Sequence, residues 1–481
     1  SVSIKAGRDV RVGGTVRAHG RDSASAGSTS GGTVDIRGGR DAVVAPGASI
    51  DASATGDGDG GSVIVFVDRD ATLQADAAIL AEAPGTGDGG FIEFSGRKVV
   101  SVVGELSARS AAGARGAILI DPEEYHFTGE THTDGQDYSV EATGAIYVHD
   151  GAVISTRAED ANAPYYVTAE SGDLTLRAPI IDIGDNAELL AQGGPQRYAP
   201  YDRYAGGTVT LEAVADETLE SAGIAAANAR ITIGTGVEIR GDAVIIRAEA
   251  VSALDVESVT DAPGFFEGGV PADVAEAVSR AADIATEKLS DAFDVTLVPA
   301  RLEATAFIDS AAHTIEAEAG DITIESIART AVDLAPENDR HAFLGVSTKT
   351  EAHVVLRGSR SSFSGDTRAQ TLDAAASERA PDGGDIVIRA RTEERQTLRA
   401  EATEDGGLAG SALAVSYREQ AATVGFKRSE IVGQWTHDWA PPVRLFGKPD
   451  IAASAERDID IEAQAAGRAA IAGTVSLQDG M

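Results

Sequence analysis

Carboxylates are the side chains most able to do chemistry in this chain. Asp and Glu number 76 against 40 Lys and Arg, which gives a formal net charge of −36. A surface of this sign repels nucleic acid and anionic membranes, so we expect no nucleic acid partner and no membrane insertion. It attracts divalent cations loosely, and no other cofactor is predicted.

The densest acidic turn is the stretch TGDGDGGSV, which places Asp57 and Asp59 close together. A calcium loop that began here would need a glycine where Ser62 stands and a glutamate where Asp68 stands. Val and Ile fill the positions between them, where further ligands should lie. The pattern therefore predicts a flexible turn rather than a cation site.

Two short polar motifs are further candidates for a site. His126 and His132 stand at a spacing that matches no standard metal motif, which favours an exposed loop. Arg240-Gly241-Asp242 spells a candidate cell-binding tripeptide. Gly-Asp pairs recur at turns along the chain, so a turn before a strand explains Gly241-Asp242 without any receptor.

Two aromatic clusters are candidates for contact with a glycan or a partner, because aromatic rings stack on sugars. Both lie in segments with Pro, and one is also rich in Gly, as is typical of loops. Packing of these loops against the body of the protein is the alternative. The residues are Tyr198, Tyr201, Tyr204, Trp435 and Trp439.

Catalytic motifs are absent from the sequence. It contains no GxSxG elbow, no phosphate-binding loop and no HExxH pair. We therefore predict no catalytic residue and no enzyme. The main rival is a carbohydrate-binding or polysaccharide-cleaving β-helix, which would need paired carboxyl groups. A groove lined by convergent Asp or Glu with an aromatic would favour that rival, and a smooth shaft would count against it.

The elements that position these residues are short strands in a repeat. Each unit has a strand, a charged turn, two further strands and a Gly-rich linker, and alternation directs Ile4, Ile36 and Val65 inward. The turns recur at intervals of 32, 29 and 28 residues. Three strands in about 29 residues predict an all-β parallel β-helix, or β-solenoid, with coils ~4.8 Å apart. The turns are Arg8-Asp9, Arg40-Asp41, Arg69-Asp70 and Arg97-Lys98.

The repeat predicts four regions. Residues 1–121 form regular coils, 122–250 form a less regular solenoid with loops, 251–300 form an insertion, and 301–481 continue the solenoid with long loops. Later turns are expected at Gly320-Asp321, Gly384-Asp385 and Arg457-Asp458, with about two coils between successive turns, or one coil with an insertion. Coils of one length throughout would give about 16 coils and roughly 80 Å.

The insertion contains the one predicted helix. Residues 271–293 begin with Pro271, which suits the first turn of a helix, and carry apolar side chains at helical spacing. This helix is expected to pack on the outside of the solenoid or to lie in a protruding loop.

The stretch from Ala48 to Pro122 resembles filamentous haemagglutinin-like exoproteins, the passengers of bacterial two-partner secretion. The resemblance lies in a GDGG-like turn, an SGK-like turn and an LLDP-like closing segment, with mild departures at Arg97 and Ile120. The matching stretches are Gly87-Asp88-Gly89-Gly90, Ser95-Gly96-Arg97 and Leu119-Ile120-Asp121-Pro122.

This resemblance implies a right-handed β-helix that leaves a Gram-negative cell through an outer-membrane two-partner secretion transporter. It also implies an extracellular or cell-surface adhesin or filament that contacts host cells, bacterial cells or matrix glycans, with a role in biofilm. The absence of cysteine suits a chain that is exported unfolded. Self-association into a fibre or sheath is a further expectation, because the end coils of a solenoid can pair between molecules.

Overall fold

The structure is a computed structural model. It describes residues 1–19, 29–158, 171–193, 205–219, 223–256, 296–334, 341–360, 367–368, 370–374, 383–402, 410–427, 443–465 and 467–477. All regular secondary structure in these ranges is β-strand, and they contain no helix. The predicted all-β solenoid is confirmed, whereas the predicted helix at 271–293 lies outside the described residues.

Parallel strands that recur at the same place in successive coils build a first and a second sheet of twelve strands each. The first sheet contains β1 (Val2–Ala6), β4 (Thr33–Gly38), β7 (Ser62–Val67), β10 (Phe91–Gly96), β13 (Ala117–Ile120), β16 (Asp137–Glu141), β19 (Leu174–Ala178), β22 (Thr208–Leu219), β25 (Ala243–Val256), β28 (Ile322–Leu334), β33 (Asp385–Ala402) and β36 (Lys448–Ala465). The second contains β2 (Val10–Val12), β5 (Ala42–Val44), β8 (Asp70–Leu73), β11 (Val99–Val102), β14 (Glu124–Phe127), β17 (Ala145–Val148), β20 (Ile180–Ile183), β23 (Gly223–Ile233), β26 (Thr296–Ser310), β29 (His341–Arg357), β34 (Gly410–Lys427) and β37 (Gly467–Leu477).

The third side of the solenoid is divided into sheets of four and seven strands. The four are β3 (Thr15–Arg17), β6 (Ser49–Asp51), β9 (Ala78–Leu80) and β12 (Glu105–Ser107). The seven are β15 (Glu130–His132), β18 (Val153–Ser155), β21 (Glu188–Leu190), β24 (Glu238–Gly241), β27 (Thr314–Ala317), β32 (Gln370–Asp373) and β35 (Val443–Phe446). A short antiparallel pair joins β30 (Ser359–Arg360) to β31 (Thr367–Arg368). Coils are numbered 1 to 12 by their first-sheet strands.

The core is a stack of aliphatic side chains held in register. Val34, Val63 and Ile92 lie directly above one another in the first sheet, and all three are fully buried. Each buried side chain of this size contributes about 1.5–3 kcal/mol relative to exposure. The alternating pattern of the sequence therefore sets both the inward face of each strand and the register between coils.

Coil 5 is shorter, and its core is aromatic. Ile118 in β13 lies opposite Tyr138 in β16, only 20 residues further along the chain. Tyr125 and Phe127 point inward from β14, with ring centroids 4.7 Å apart. Larger side chains fill this part of the stack, which is where the third side changes from one sheet to the other.

A glycine ends each of the linkers before β7, β10 and β13, because the neighbouring backbone leaves no room for a side chain. The Gly90 N–H donates to the Ala81 carbonyl at 2.8 Å, which joins the end of one coil to the start of the next. A Cβ on Gly90 would lie 2.0 Å from the Gly61 carbonyl oxygen. Gly61 and Gly116 are confined in the same way, so these glycines form a column along the solenoid.

Strand length changes sharply after coil 7. First-sheet strands have four to six residues from β1 to β19, whereas β22 has 12, β25 has 14 and β33 has 18. Second-sheet strands lengthen at the same coil, from four residues in β20 to 11 in β23. We call the added two-sheet layer the wing. In coil 8 it comprises residues 214–219 and 223–229, and later coils stack on it in register.

The long strands correct two expectations. Twelve coils are present among the described residues, not 16, because Ile322 in coil 10 pairs directly with Ile386 in coil 11. Of the two alternatives for this interval, one enlarged coil is therefore the observed one. The turn expected at Arg457-Asp458 is also wrong, since both residues lie inside β36 and pair with Glu394 and Arg395 of β33.

A groove at the edge of the wing and a polar seam inside it

The wing creates a step on the side of the solenoid. β19 pairs with β22 only as far as Ala213, and β20 pairs with β23 only from Arg230. Beyond these points no described strand covers residues 214–219 and 223–229 on the side of coil 7. Backbone groups at such an edge would otherwise be open to pairing with another strand.

Below the step lies a groove of about 630 Å³. Coils 5 to 7 form one wall with Asp121, Glu141 and Arg177, and the edge of the wing forms the other with Asp216 and Glu217. Four carboxylates thus converge on one concavity, as the rival carbohydrate hypothesis requires. The lining residues include no aromatic side chain, which is the part of that requirement the groove does not meet.

The acidic groups of the groove differ in their surroundings. Burial raises the pKa of Asp121, the nearby Glu141 raises it further, and Arg97 opposes the rise. Glu217 accepts a hydrogen bond from the Ala226 N–H at 2.7 Å, so its carboxylate caps the edge of the second sheet. Arg177 lies 3.7 Å from Glu212. A carboxyl group with a raised pKa can donate a proton near neutral pH more readily than an ordinary one.

Inside the wing, one inward position of the first sheet is polar in every coil. We call this column the polar seam: Glu217, Ser252, Thr330, Glu394 and Arg457, which are successive partners in the parallel ladder. Ser252 and Thr330 are buried, and Thr330 lies 2.8 Å from Thr350 on the facing sheet. The two sheets of the wing are therefore joined by side-chain hydrogen bonds at this position.

The seam is most strongly charged in coil 11. Glu394 is 3% exposed and accepts hydrogen bonds from Thr348 at 2.5 Å and Gln396 at 2.6 Å. Burial raises its pKa, against the opposing effects of these hydrogen bonds and of Arg418. Burial likewise lowers the pKa of Arg418, which is 7% exposed. Arg457 donates to Gln420 at 2.5 Å beside them.

The candidate tripeptide lies at a strand end. Arg240 is in β24, and its guanidinium lies 2.9 Å from Glu238 and 3.3 Å from Glu316 on the adjacent strand. Gly241 is buried, and the Asp242 N–H donates to the Gly207 carbonyl. The turn predicted here is therefore limited to Asp242, which alone lies between β24 and β25, because Arg240 and Gly241 are the last two residues of β24. Cell binding by the three residues stays a prediction. The aromatic candidates, Tyr198, Tyr201, Tyr204, Trp435 and Trp439, lie outside the described residues.

The two histidines are placed in strands, so the prediction of an exposed loop was wrong. His126 is in β14 and His132 is in β15, both with exposed side chains. His132 lies 3.4 Å from Glu130 on the same strand. His126 instead meets His149 of the next coil, which nothing in the local sequence indicates. Only the number of residues per coil, which varies along this chain, brings them together.

The acidic turns bind backbone and arginine. Asp57 and Asp59 accept hydrogen bonds from the N–H groups of Thr86 and Asp88 in the following coil, at 3.2 and 3.0 Å. The charged turns also pair between coils, with Arg40 donating to both carboxylate oxygens of Asp9. This pairing lowers the pKa of Asp9. Such exposed pairs contribute little stability individually.

No group of three or more His, Cys, Asp or Glu is arranged to hold a metal ion in the described part of the chain. Within the described ranges, no helix has the length and apolar character needed to cross a membrane.

The fold defines the class of this protein as a parallel β-solenoid. Comparisons with protein-family models, with curated proteins and with solved structures find no match.

Proposed function

We propose that this chain is the shaft of a secreted bacterial surface adhesin or extracellular filament, which presents loops for contact with other cells or with matrix. The observation that carries the proposal is the uninterrupted ladder of twelve strands in both main sheets. Every coil is hydrogen-bonded to the next along two sides, so the stack resists bending and holds its ends apart. A spacer between a cell and its target needs this property.

The resemblance over residues 48–122 supports the proposed location and export route. The glycines and acidic residues of that stretch have structural roles, in the column and in the turns. These residues recur because each coil has the same steric requirements. The resemblance therefore supports the fold more directly than it supports adhesion. The partners remain part of the proposal: a two-partner secretion transporter, and a cell surface or matrix glycan.

The test uses the bacterium that produces the protein. Antibodies against the purified chain should label the surface of intact cells, and deletion of the coding sequence should reduce attachment to other cells or to matrix. Complementation should restore both. Labelling only after cell permeabilisation, or unchanged attachment in the deletion strain, would contradict the proposal.

A second candidate is a carbohydrate-binding or carbohydrate-cleaving β-helix, and the groove below the step favours it. Asp121, with its raised pKa, and Glu141 would face Asp216 and Glu217 across a bound oligosaccharide. The purified chain would then bind acidic or neutral oligosaccharides in a glycan array. Asp121→Asn should abolish that binding or the release of reducing ends, whereas Glu124→Gln, outside the groove, should not. Equal behaviour of the two variants would exclude this candidate.

A further inference from the structure

An exposed histidine pair joins coils 5 and 6 on the outer face of the second sheet. The distance between His126 Nδ1 and His149 Nε2 is 3.1 Å. The ring of His126 also stacks on Tyr147, with centroids 4.8 Å apart and planes 19° apart. Both histidines are exposed, so solvent ions have access to the two nitrogens.

The backbone fixes where these rings lie. His126 is the ladder partner of Tyr147, through the pairing of β14 with β17. The His149 N–H donates to the Phe127 carbonyl at 3.0 Å, and the His149 carbonyl accepts from the Ala152 N–H in the following turn. Both Cα positions are therefore held by the solenoid itself, and stacking on Tyr147 restricts the His126 ring.

We propose that His126 and His149 form a binding site for a divalent transition-metal ion, with water in the remaining coordination positions. An ion at the usual Zn–N distance of about 2.0–2.1 Å from both nitrogens would subtend an N–metal–N angle of about 98° at their present separation. This angle lies between those of octahedral and tetrahedral coordination. The separation of the two nitrogens therefore suits one ion, and the rings, whose centroids are 5.3 Å apart, would turn so that both lone pairs face it.

The donor atoms select the kind of ion. Imidazole nitrogens suit Cu²⁺, Ni²⁺ and Zn²⁺, whereas Ca²⁺ and Mg²⁺ prefer oxygen ligands. Among the divalent ions, Cu²⁺ should bind most tightly. Both rings can bind while neutral, with their hydrogens on His126 Nε2 and His149 Nδ1. The ion then replaces the single hydrogen bond between the rings. The net charge of −36 further raises the local concentration of cations.

Binding would add a link between coils 5 and 6, directly after the most sparsely paired step of the second sheet. Only Val99 and Glu124 pair between β11 and β14, one coil earlier, and the third side changes sheets at the same level. An ion held by coils 5 and 6 would oppose local opening of β14. Divalent transition metals should therefore slow hydrogen exchange in residues 124–127 and 145–148.

The test is a titration of the full 481-residue chain with Cu²⁺, followed by calorimetry and electron paramagnetic resonance. The wild-type spectrum should show two nitrogen ligands at one ion equivalent. His126→Asn and His149→Asn should each weaken binding by at least about tenfold to 100-fold, since loss of an outer-shell partner alone costs that much. His132→Asn is the matched control, because this exposed histidine lies in the next strand and contacts Glu130 rather than a second histidine.

Circular dichroism of each variant shows whether the solenoid remains folded. We expect it to remain folded, because the substituted side chains are exposed. The proposal is overturned if the His126→Asn/His149→Asn double variant binds Cu²⁺ as the wild type does. It is also overturned if His132→Asn weakens binding equally, since the signal would then come from scattered histidines. Protection of residues 124–127 by Cu²⁺ in the wild type, but not in the double variant, completes the expected result.

Discussion

At the scale of single residues, contacts between coils explain much of what the sequence repeats. A side chain at Gly90 would overlap the backbone of the coil before it, and Asp57 and Asp59 accept N–H groups from the coil after them. Neither role requires a ligand. The repeated glycines and aspartates of this solenoid are therefore explained by the steric and hydrogen-bonding requirements of stacked coils.

The glycine column gives the most direct test of this view. Gly90→Ala places a Cβ 2.0 Å from the Gly61 carbonyl oxygen, so the backbone must shift and the substitution should cost about 1–3 kcal/mol or more. Gly13→Ala is the control, because no atom lies within 4 Å of its added Cβ. Thermal unfolding followed by circular dichroism should show a lower midpoint for Gly90→Ala only. Equal midpoints would mean that the coils can separate at little cost.

Glu394 gives a prediction about pH. Its pKa is raised in the folded state, mainly by burial, so the folded protein binds this proton more tightly than the unfolded chain does. The stability that the protonated group contributes is fully present below the unfolded pKa of about 4.3. It is lost as the pH rises through the raised pKa of the folded state. At neutral pH the buried carboxylate therefore destabilises the wing.

Glu394→Gln keeps an oxygen that can accept from Thr348 and Gln396 and removes the charge. It should stabilise coil 11 at neutral pH, where the buried carboxylate is charged, and should have little effect in acid, where the group is already protonated. Hydrogen exchange of residues 386–398 across the pH range measures this locally. Glu393→Gln is the control, because Glu393 faces outward and forms ion pairs with Arg329 and Arg391. Its loss should leave stability unchanged or slightly lower. A loss of protection at pH 7 in Glu394→Gln would contradict the argument.

At the scale of elements, short strands were predictable and long strands were not. The three short strands predicted for each repeat unit are present in coils 1–4, with β6 and β12 among the third strands, because Gly-rich linkers mark where each coil restarts. In the wing, β23 is rich in alanine and β33 is mostly polar beyond Ala390, and neither contains such a mark within the strand. Local alternation is the same in a strand of four residues and in one of 18, so strand length depends on pairing with the neighbouring coils.

The functional candidates follow the same division. Local motifs made Arg240 and His126 candidates. Their contacts with Glu316 and His149 depend on the pairing between coils, which the motifs do not show. The polar seam has no local signal at all, since Thr330 and Glu394 become neighbours only through the register of β28 with β33. Likewise, Asp121 and Glu217 meet in one groove only because the wing starts at coil 8.

The edge of the wing gives a prediction at this scale. Glu217 points inward at an uncovered edge and caps the Ala226 N–H, a device that discourages pairing with other strands. Removing the charges in Asp216→Ala/Glu217→Ala should leave this edge free to pair, so the variant should self-associate. Analytical ultracentrifugation should detect dimers at concentrations where wild type and the control Glu124→Ala sediment alike. A variant that sediments as the wild type does would show that the edge is protected by other means.

At the scale of the whole molecule, the wing changes the expected outline. Twelve coils at ~4.8 Å give a stack of roughly 55–60 Å, shorter than coils of uniform length would give. Strands of 18 residues are themselves roughly 60 Å long, so the later coils are about as wide as the stack is tall. A uniform thin rod is therefore not what this stretch of chain forms. It combines a narrow solenoid with a broad two-sheet layer.

This outline can be measured directly. Negative-stain electron microscopy of the purified chain should show particles that are narrow over coils 1–7, for about 34 Å, and broad over coils 8–12, for about 24 Å. Gly90→Ala should disturb the narrow part alone, since its contacts are with coils 2–4. Uniform rods of roughly 80 Å would contradict the long strands of the wing. Continuous filaments would instead show self-association, and the Asp216→Ala/Glu217→Ala variant would then reveal whether the uncovered edge at coil 8 governs it.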